Sequence, residues 1–133
     1  MDDAEVKPVI WVGSAYKDLT QLPKQAQRTI GYALFLAQAG QKHVRAKPLK
    51  GFGGAGILEI VEVHDGDAYR AVYTVRLAGN IYVLHVFQKK SNQGISTPQQ
   101  DIDLIRERLK AAQSIHQERT ANRKAEAQNG RKS

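Results

Sequence analysis

Residues 56–88 read GILEIVEVHDGDAYRAVYTVRLAGNIYVLHVFQ, and three runs stand out: Gly56–His64, Tyr69–Leu77 and Ile81–Gln88, rich in Val, Ile and Tyr. Asp65-Gly66-Asp67 and Ala78-Gly79-Asn80 separate them, and both are turn-forming stretches, so the segment predicts an antiparallel meander. Within the third run, Ile81–Phe87 is apolar on both faces except at His85, the pattern of a central strand covered on both sides for most of its length. The second alternates. Tyr69, Ala71, Tyr73, Val75 and Leu77 fall on one face and Arg70, Val72, Thr74 and Arg76 on the other, so one sheet face is partly polar and basic.

Upstream, the apolar run of residues 8–13 ends at Gly13 and predicts an opening strand. Ser14 can cap a short helical turn over 15–22. From Pro23 onward Ala26, Ile30, Ala33, Leu34 and Ala37 recur at helical spacing until Gly40 supplies a stop. Residues 41–56 are basic and glycine-rich and read as an ordered loop or extended arm. Downstream, a loop through Ser91–Ser96 leads to Thr97-Pro98-Gln99-Gln100, which predicts a capping box with Thr97 as N-cap. Ile102, Ile105, Leu109 and Ala112 form the stripe of the last helix. After Ile115 no large apolar residue remains, so 117–133 reads as a basic tail, disordered or a fraying extension of that helix. The expected fold is α+β: a small, mostly antiparallel four-stranded sheet, its first strand beside the last of the meander. An N-terminal helical segment and a C-terminal helix pack on it, all in one domain over 1–116.

With 133 residues and 41% apolar side chains the chain can bury one core and not two. It has no cysteine, hence no disulfide framework and no thiolate zinc site, and no apolar stretch follows a basic leader, so a soluble cytoplasmic protein with no membrane partner is expected. No histidines and carboxylates fall at a metal-ligand spacing, and neither metal nor cofactor is expected. The net charge of +7 points to a polyanionic partner. The excess lies beyond residue 40: residues 1–40 carry four basic and four acidic residues, 41–100 eight and four, 101–133 eight and five.

Five segments, Lys47-Pro48-Leu49-Lys50-Gly51, Gly56-Ile57-Leu58-Glu59-Ile60, Tyr69-Arg70-Ala71-Val72-Tyr73, Val83–Ser91 and Thr97-Pro98, occur in an order and spacing that resembles the phage-derived, HigB-like branch of the RelE/ParE toxin superfamily. The resemblance implies a RelE-type fold and a ribosome-dependent mRNA endonuclease, the toxin of a type II toxin–antitoxin system. A cognate antitoxin, a helix-turn-helix protein, would hold it inactive. Carried over by position, Arg70 matches the strand arginine, Lys89 and Lys90 the basic pair ending the central strand, and Lys47 and Lys50 the basic arm. Two departures lie beside the expected site: Val61 stands where many relatives carry arginine, and the loop between Lys90 and Pro98 is longer.

RNA cleavage by its own 2′-hydroxyl needs a proton acceptor, stabilised phosphoryl oxygens and a protonated or neutralised leaving oxygen, none of which requires a metal. Arg70 suits the phosphoryl clamp because its planar fork donates two hydrogen bonds, while Lys89 and Lys90 supply compact, movable charge. The alternative for the lysine pair is a gatekeeper that blunts a sheet end. His85 is the conventional acid–base candidate, with a partly buried, hydrogen-bonded histidine as the alternative; on strict alternation it shares a face with Ile81, Val83 and Phe87. His64 could face the same cleft, whereas His43 and His116 read as exposed. Tyr73 is a candidate for stacking on a base, with packing as the alternative, and Arg76 is a second strand cation for RNA. Arg119, Arg123, Lys124, Arg131 and Lys132 in the tail add nonspecific attraction to RNA. Two other functions remain open on the same fold: a ParE-like inhibitor of DNA gyrase, and a module that binds ribosomes or RNA without cutting.

Overall fold

A computed structural model describes residues 6–53, 56–90 and 97–131. The elements in chain order are β1 (Val9–Trp11), α1 (Ala15–Thr20), α2 (Lys24–Gln38), β2 (Lys47–Pro48), β3 (Ile57–His64), β4 (Asp67–Thr74), β5 (Ile81–Lys90) and α3 (Gln99–Arg131). The fold is α+β as expected, but the sheet has five strands in the order β1-β5-β4-β3-β2 and is mixed. The antiparallel meander is present, and β1 lies beside β5, paired parallel with Val9 opposite Ile81. The added strand is β2, in the segment expected as a loop or arm: Lys47 pairs with Glu59 and Pro48 with Leu58. A two-residue edge strand containing proline leaves no periodicity to read.

Asp65 and Gly66 make the β3–β4 hairpin because both adopt positive φ, 52° and 83°, as a two-residue turn matching the strand twist requires. Two hydrophobic clusters lie on opposite sheet faces. Beneath α1 and α2, Ile30, Ala33, Leu34 and Ala37 meet Leu58, Ile60, Ala71, Tyr73, Ile81, Val83 and Val86. Beneath α3, Ile105 and Ala112 meet Ile57, Val72, Tyr82 and Leu84. Each fully buried Ile or Leu contributes roughly 1.5–3 kcal/mol, so this double cover holds the sheet. Residues 117–131, expected as a disordered tail or a helical extension, continue α3 as helix. Among the described residues no helix is long and apolar enough to cross a membrane.

α2 has one costly residue. Gly31 sits mid-helix, exposed, with no described residue within 4 Å of where a Cβ would stand. Gly31→Ala is therefore expected to stabilise the protein by about 0.5–1 kcal/mol, the helix penalty of glycine. A higher urea midpoint at unchanged m-value would show it, and an unchanged or lower midpoint would refute it.

Candidate functional site

The polar side chains of interest gather on the α3 side of the sheet. Directly paired residues share a face, and the β3–β4 register sets Val61 opposite Arg70 and Glu59 opposite Val72. Across β4–β5, Arg70 opposes Phe87 and Ala68 opposes Lys89. Between Val72 and Tyr73 the register shifts: Val72 pairs with His85 but Tyr73 with Val83, so Leu84 is an extra residue in a β-bulge. That insertion corrects the face expected for His85. It joins Phe87 on the α3 side, its ring stacked on Phe87 at 4.5 Å and 13°, away from Ile81 and Val83.

Arg70 is 6% exposed, and its Nη1 donates to Glu59 Oε2 at 3.1 Å. The same carboxylate oxygen accepts from Thr97 Oγ at 3.1 Å. Thr97 thus ties the start of α3 to the sheet and not to its own helix. The expected capping box is corrected: α3 begins at Gln99, with the Asp101 and Ile102 amides donating to Pro98 O. Glu59 Oε1 takes part in neither contact, and Glu59 lines a cleft of about 450 Å³. The other walls of that cleft are the Lys47–Gly51 arm and Thr97, Gln99, Ile102 and Arg106. Arg106 braces the arm, donating from Nη2 to Gly51 O at 3.2 Å with its guanidinium 4.8 Å from the Phe52 ring centre. Three cations therefore wall a cleft whose floor holds one carboxylate backed by a buried arginine, a setting matched to a phosphodiester strand.

His85 is fixed from both sides. Its Nε2 lies 2.7 Å from Asp101 Oδ1, and Arg108 Nη1 lies 3.5 Å from its Nδ1 while donating to Leu84 O at 3.0 Å. The Nε2–H tautomer satisfies both contacts, donating to Asp101 and offering Nδ1 to Arg108. Both ring nitrogens are engaged, so His85 tethers β5 to α3. Arg108 extends the tether to α1, donating from Nη2 to Ser14 Oγ at 3.0 Å.

Arg70, Lys89 and His85 thus share one face, and Lys47 and Lys50 wall the adjoining cleft. Lys89 is buried at 7% exposure. Lys90 ends β5 opposite Asp67, and its side chain lies outside the described residues. Val61, where many relatives are expected to carry arginine, stands directly across from Arg70. Arg76 is not brought to this group; it is exposed, two residues past the end of β4, packed against Gly56. Tyr73 is corrected to core: it is 0% exposed among α2-side residues, since its position on the β4 alternation is covered by helix. His43, expected exposed, is also buried, its Nδ1 accepting from Arg45 N at 3.0 Å. His116 is half-buried against Tyr82, 3.1 Å from its hydroxyl. His64 is 37% exposed beside Asp65 at 3.3 Å, in the same register row as Asp67 and Lys90.

Sequence reading misses Glu59, Asp101 and Arg106. A signal exists for two of them. Glu59 is a carboxylate between Ile57 and Val61 on one strand face, and Gln99, Ile102 and Arg106 recur three and four apart on one helix side. Asp101 reads locally as no more than a favourable charge near a helix start; its histidine partner comes from tertiary structure.

No curated protein and no solved structure shows significant similarity to the chain. The family model described as phage-derived protein Gp49-like (DUF891) matches residues 17–110, from within α1 to the part of α3 that covers the sheet. With most of its length and all but one strand inside that match, the chain belongs to the phage-derived Gp49-like family, a RelE-like toxin family of toxin–antitoxin systems.

Proposed function

We propose that this chain is a HigB-like toxin that cuts mRNA in the ribosomal decoding site. The observation that carries the reading is the cation-walled cleft lined by Glu59, which the buried Arg70 backs. Lys47, Lys50 and Arg106 hold the message by its phosphates. Arg70, kept in place by Glu59, clamps the phosphoryl oxygens as charge develops, and the second carboxylate oxygen, Glu59 Oε1, accepts the 2′-hydroxyl proton. Lys89 and Lys90 neutralise the leaving oxygen. An antitoxin of helix-turn-helix type is the partner that keeps the toxin silent.

The test mixes purified protein with ribosomes stalled on a defined message and maps the new RNA 5′ ends. Discrete cuts within the decoding site are expected, reduced in Lys90→Ala. Intact message with both proteins sinks the proposal. If gyrase supercoiling is inhibited instead, the ParE-like reading takes its place. Growth inhibition without cuts, unaffected by Lys90→Ala, identifies a binding module.

A further inference from the structure

The inner side of α2 is used for the core through Ala26, Ile30, Ala33, Leu34 and Ala37. Its outer side carries a second stripe, Arg28, Gly31, Tyr32 and Phe35, at three- and four-residue spacing. Tyr32 and Phe35 are 55% and 57% exposed, with rings stacked at 6.5 Å and 19°. Buried His43 props Tyr32 edge-to-face at 5.7 Å, and the next residue, Val44, is 89% exposed. The aromatic pair is thus held in place before anything binds, which lowers the ordering cost of binding. Gly31 lies beside it and weakens the helix interior, yet no described residue comes within 4 Å of where its Cβ would stand. A glycine there leaves the helix backbone open to close approach from outside.

The charge around this stripe is one-sided. No Asp or Glu occurs between Asp18 and Glu59, whereas Lys24, Arg28, Lys42 and Arg45 lie in α2 and the segment that follows it. Glu62, the carboxylate that reaches α2, is already engaged by Thr29 at 2.9 Å and Arg45 at 3.0 Å. Burial pushes its carboxyl up, but the Arg45 and Thr29 hydrogen bonds outweigh this and hold it below the usual value. A second copy of this chain would bring the same cations against themselves, and like charges across an interface disfavour pairing. Bases would find Tyr32 and Phe35 with ring faces partly turned to each other. The partner that fits is apolar along one stripe and acidic at its flanks.

We propose that the outer face of α2 docks an acidic amphipathic helix of another polypeptide, its backbone over Gly31 and its apolar side chains against Tyr32 and Phe35. This face is on the opposite side of the sheet from the cleft, so the bound helix leaves the cleft open. The toxin reading enters only in naming the source, the antitoxin encoded beside this chain's gene.

The full-length chain would be titrated by calorimetry with the product of that adjacent reading frame. Phe35→Glu and, separately, Gly31→Gln are expected to weaken binding about tenfold or more, as hot-spot residues do. Lys47→Ala in the cleft should leave it unchanged. Circular dichroism and melting of Phe35→Glu matching the unsubstituted chain would exclude misfolding, since the residue is exposed. Absence of binding, binding indifferent to both α2 variants, or binding lost with Lys47→Ala overturns the proposal. So does an affinity for single-stranded RNA that falls in Phe35→Glu, or self-association through this face. A chain that binds its neighbour through α2 yet cuts no message would refute the proposed activity and leave this inference standing.

Discussion

Replacing Arg70 with leucine is expected to cost on the order of 3 kcal/mol of stability, because it leaves the largely covered Glu59 carboxylate with its cationic partner gone. The Arg70 and Glu59 side chains are 7% and 14% exposed and 3.1 Å apart. Thr97 Oγ stays as a donor but brings no charge. Against a total stability of roughly 5–15 kcal/mol that is a large share. The double variant Glu59→Leu with Arg70→Leu removes both charges from the same sheet face and should recover most of the loss, since two apolar side chains replace an ion pair of similar size. Urea unfolding of the unsubstituted chain, Arg70→Leu, Glu59→Leu and the double variant gives the coupling. If Arg70→Leu unfolds at the unsubstituted midpoint, the pair is not holding the site.

The same residue separates structure from chemistry. Arg70→Lys keeps the positive charge and replaces the planar fork with a point charge, so it should fold but bind phosphoryl oxygens poorly. Under the proposed reaction the yield of cuts on stalled ribosomes falls about 10²-fold, the size of effect seen when one positioned donor to a developing charge is lost. A well-folded Arg70→Lys cutting at the unsubstituted rate would remove Arg70 from the reaction and leave it a structural partner of Glu59.

The meander is legible because its turns are local. Asp65-Gly66 makes the β3–β4 hairpin from two adjacent residues, and the apolar runs on either side need no distant information. The place of β1 beside β5 follows from compactness alone. The missed features are those decided at long range. Lys47-Pro48 becomes a strand only because Glu59 and Leu58 lie next to it. The bulge at Leu84 is silent in the sequence because β5 is apolar on both faces, and such a strand does not reveal which residue is extra. From that one residue follows the face of His85, and with it the Asp101 tether. At the site, Arg70, Lys89, Lys47 and Lys50 are legible as candidate cations, whereas the carboxylate that organises Arg70 comes from β3 and the third cleft cation from α3. Thr97 has the local character of a cap, and the Glu59 carboxylate overrides it.

Tyr73 supplies the sharpest separation between what the strand pattern suggests and what the fold does with it. Its ring is 0% exposed, and its hydroxyl has no hydrogen-bond partner among the described residues. Burial pushes its pKa up from 10.0 to about 12, because the phenolate is disfavoured out of water. A folded-state pKa above the unfolded value means the contribution is fully present below pH 10 and is lost as pH rises through about 12. The unfolded chain ionises first, and above that window it is favoured by on the order of 3 kcal/mol relative to neutral pH. Tyr82 is also raised, by burial against the opposing Arg119 and Arg123 charges, and adds in the same direction. Tyr73→Phe removes the ionisable group, so its stability should fall much less between pH 10 and 12. At neutral pH it should match or exceed the unsubstituted protein by about 1 kcal/mol, since an unpaired hydroxyl no longer has to be buried. Message cutting should be unchanged, because the ring lies beneath α2 on the far side of the sheet from the cleft. Urea unfolding at a series of pH values, with cutting measured on the same preparations, reads both. Lost cutting in a Tyr73→Phe protein of full stability would show that this hydroxyl acts on RNA after all.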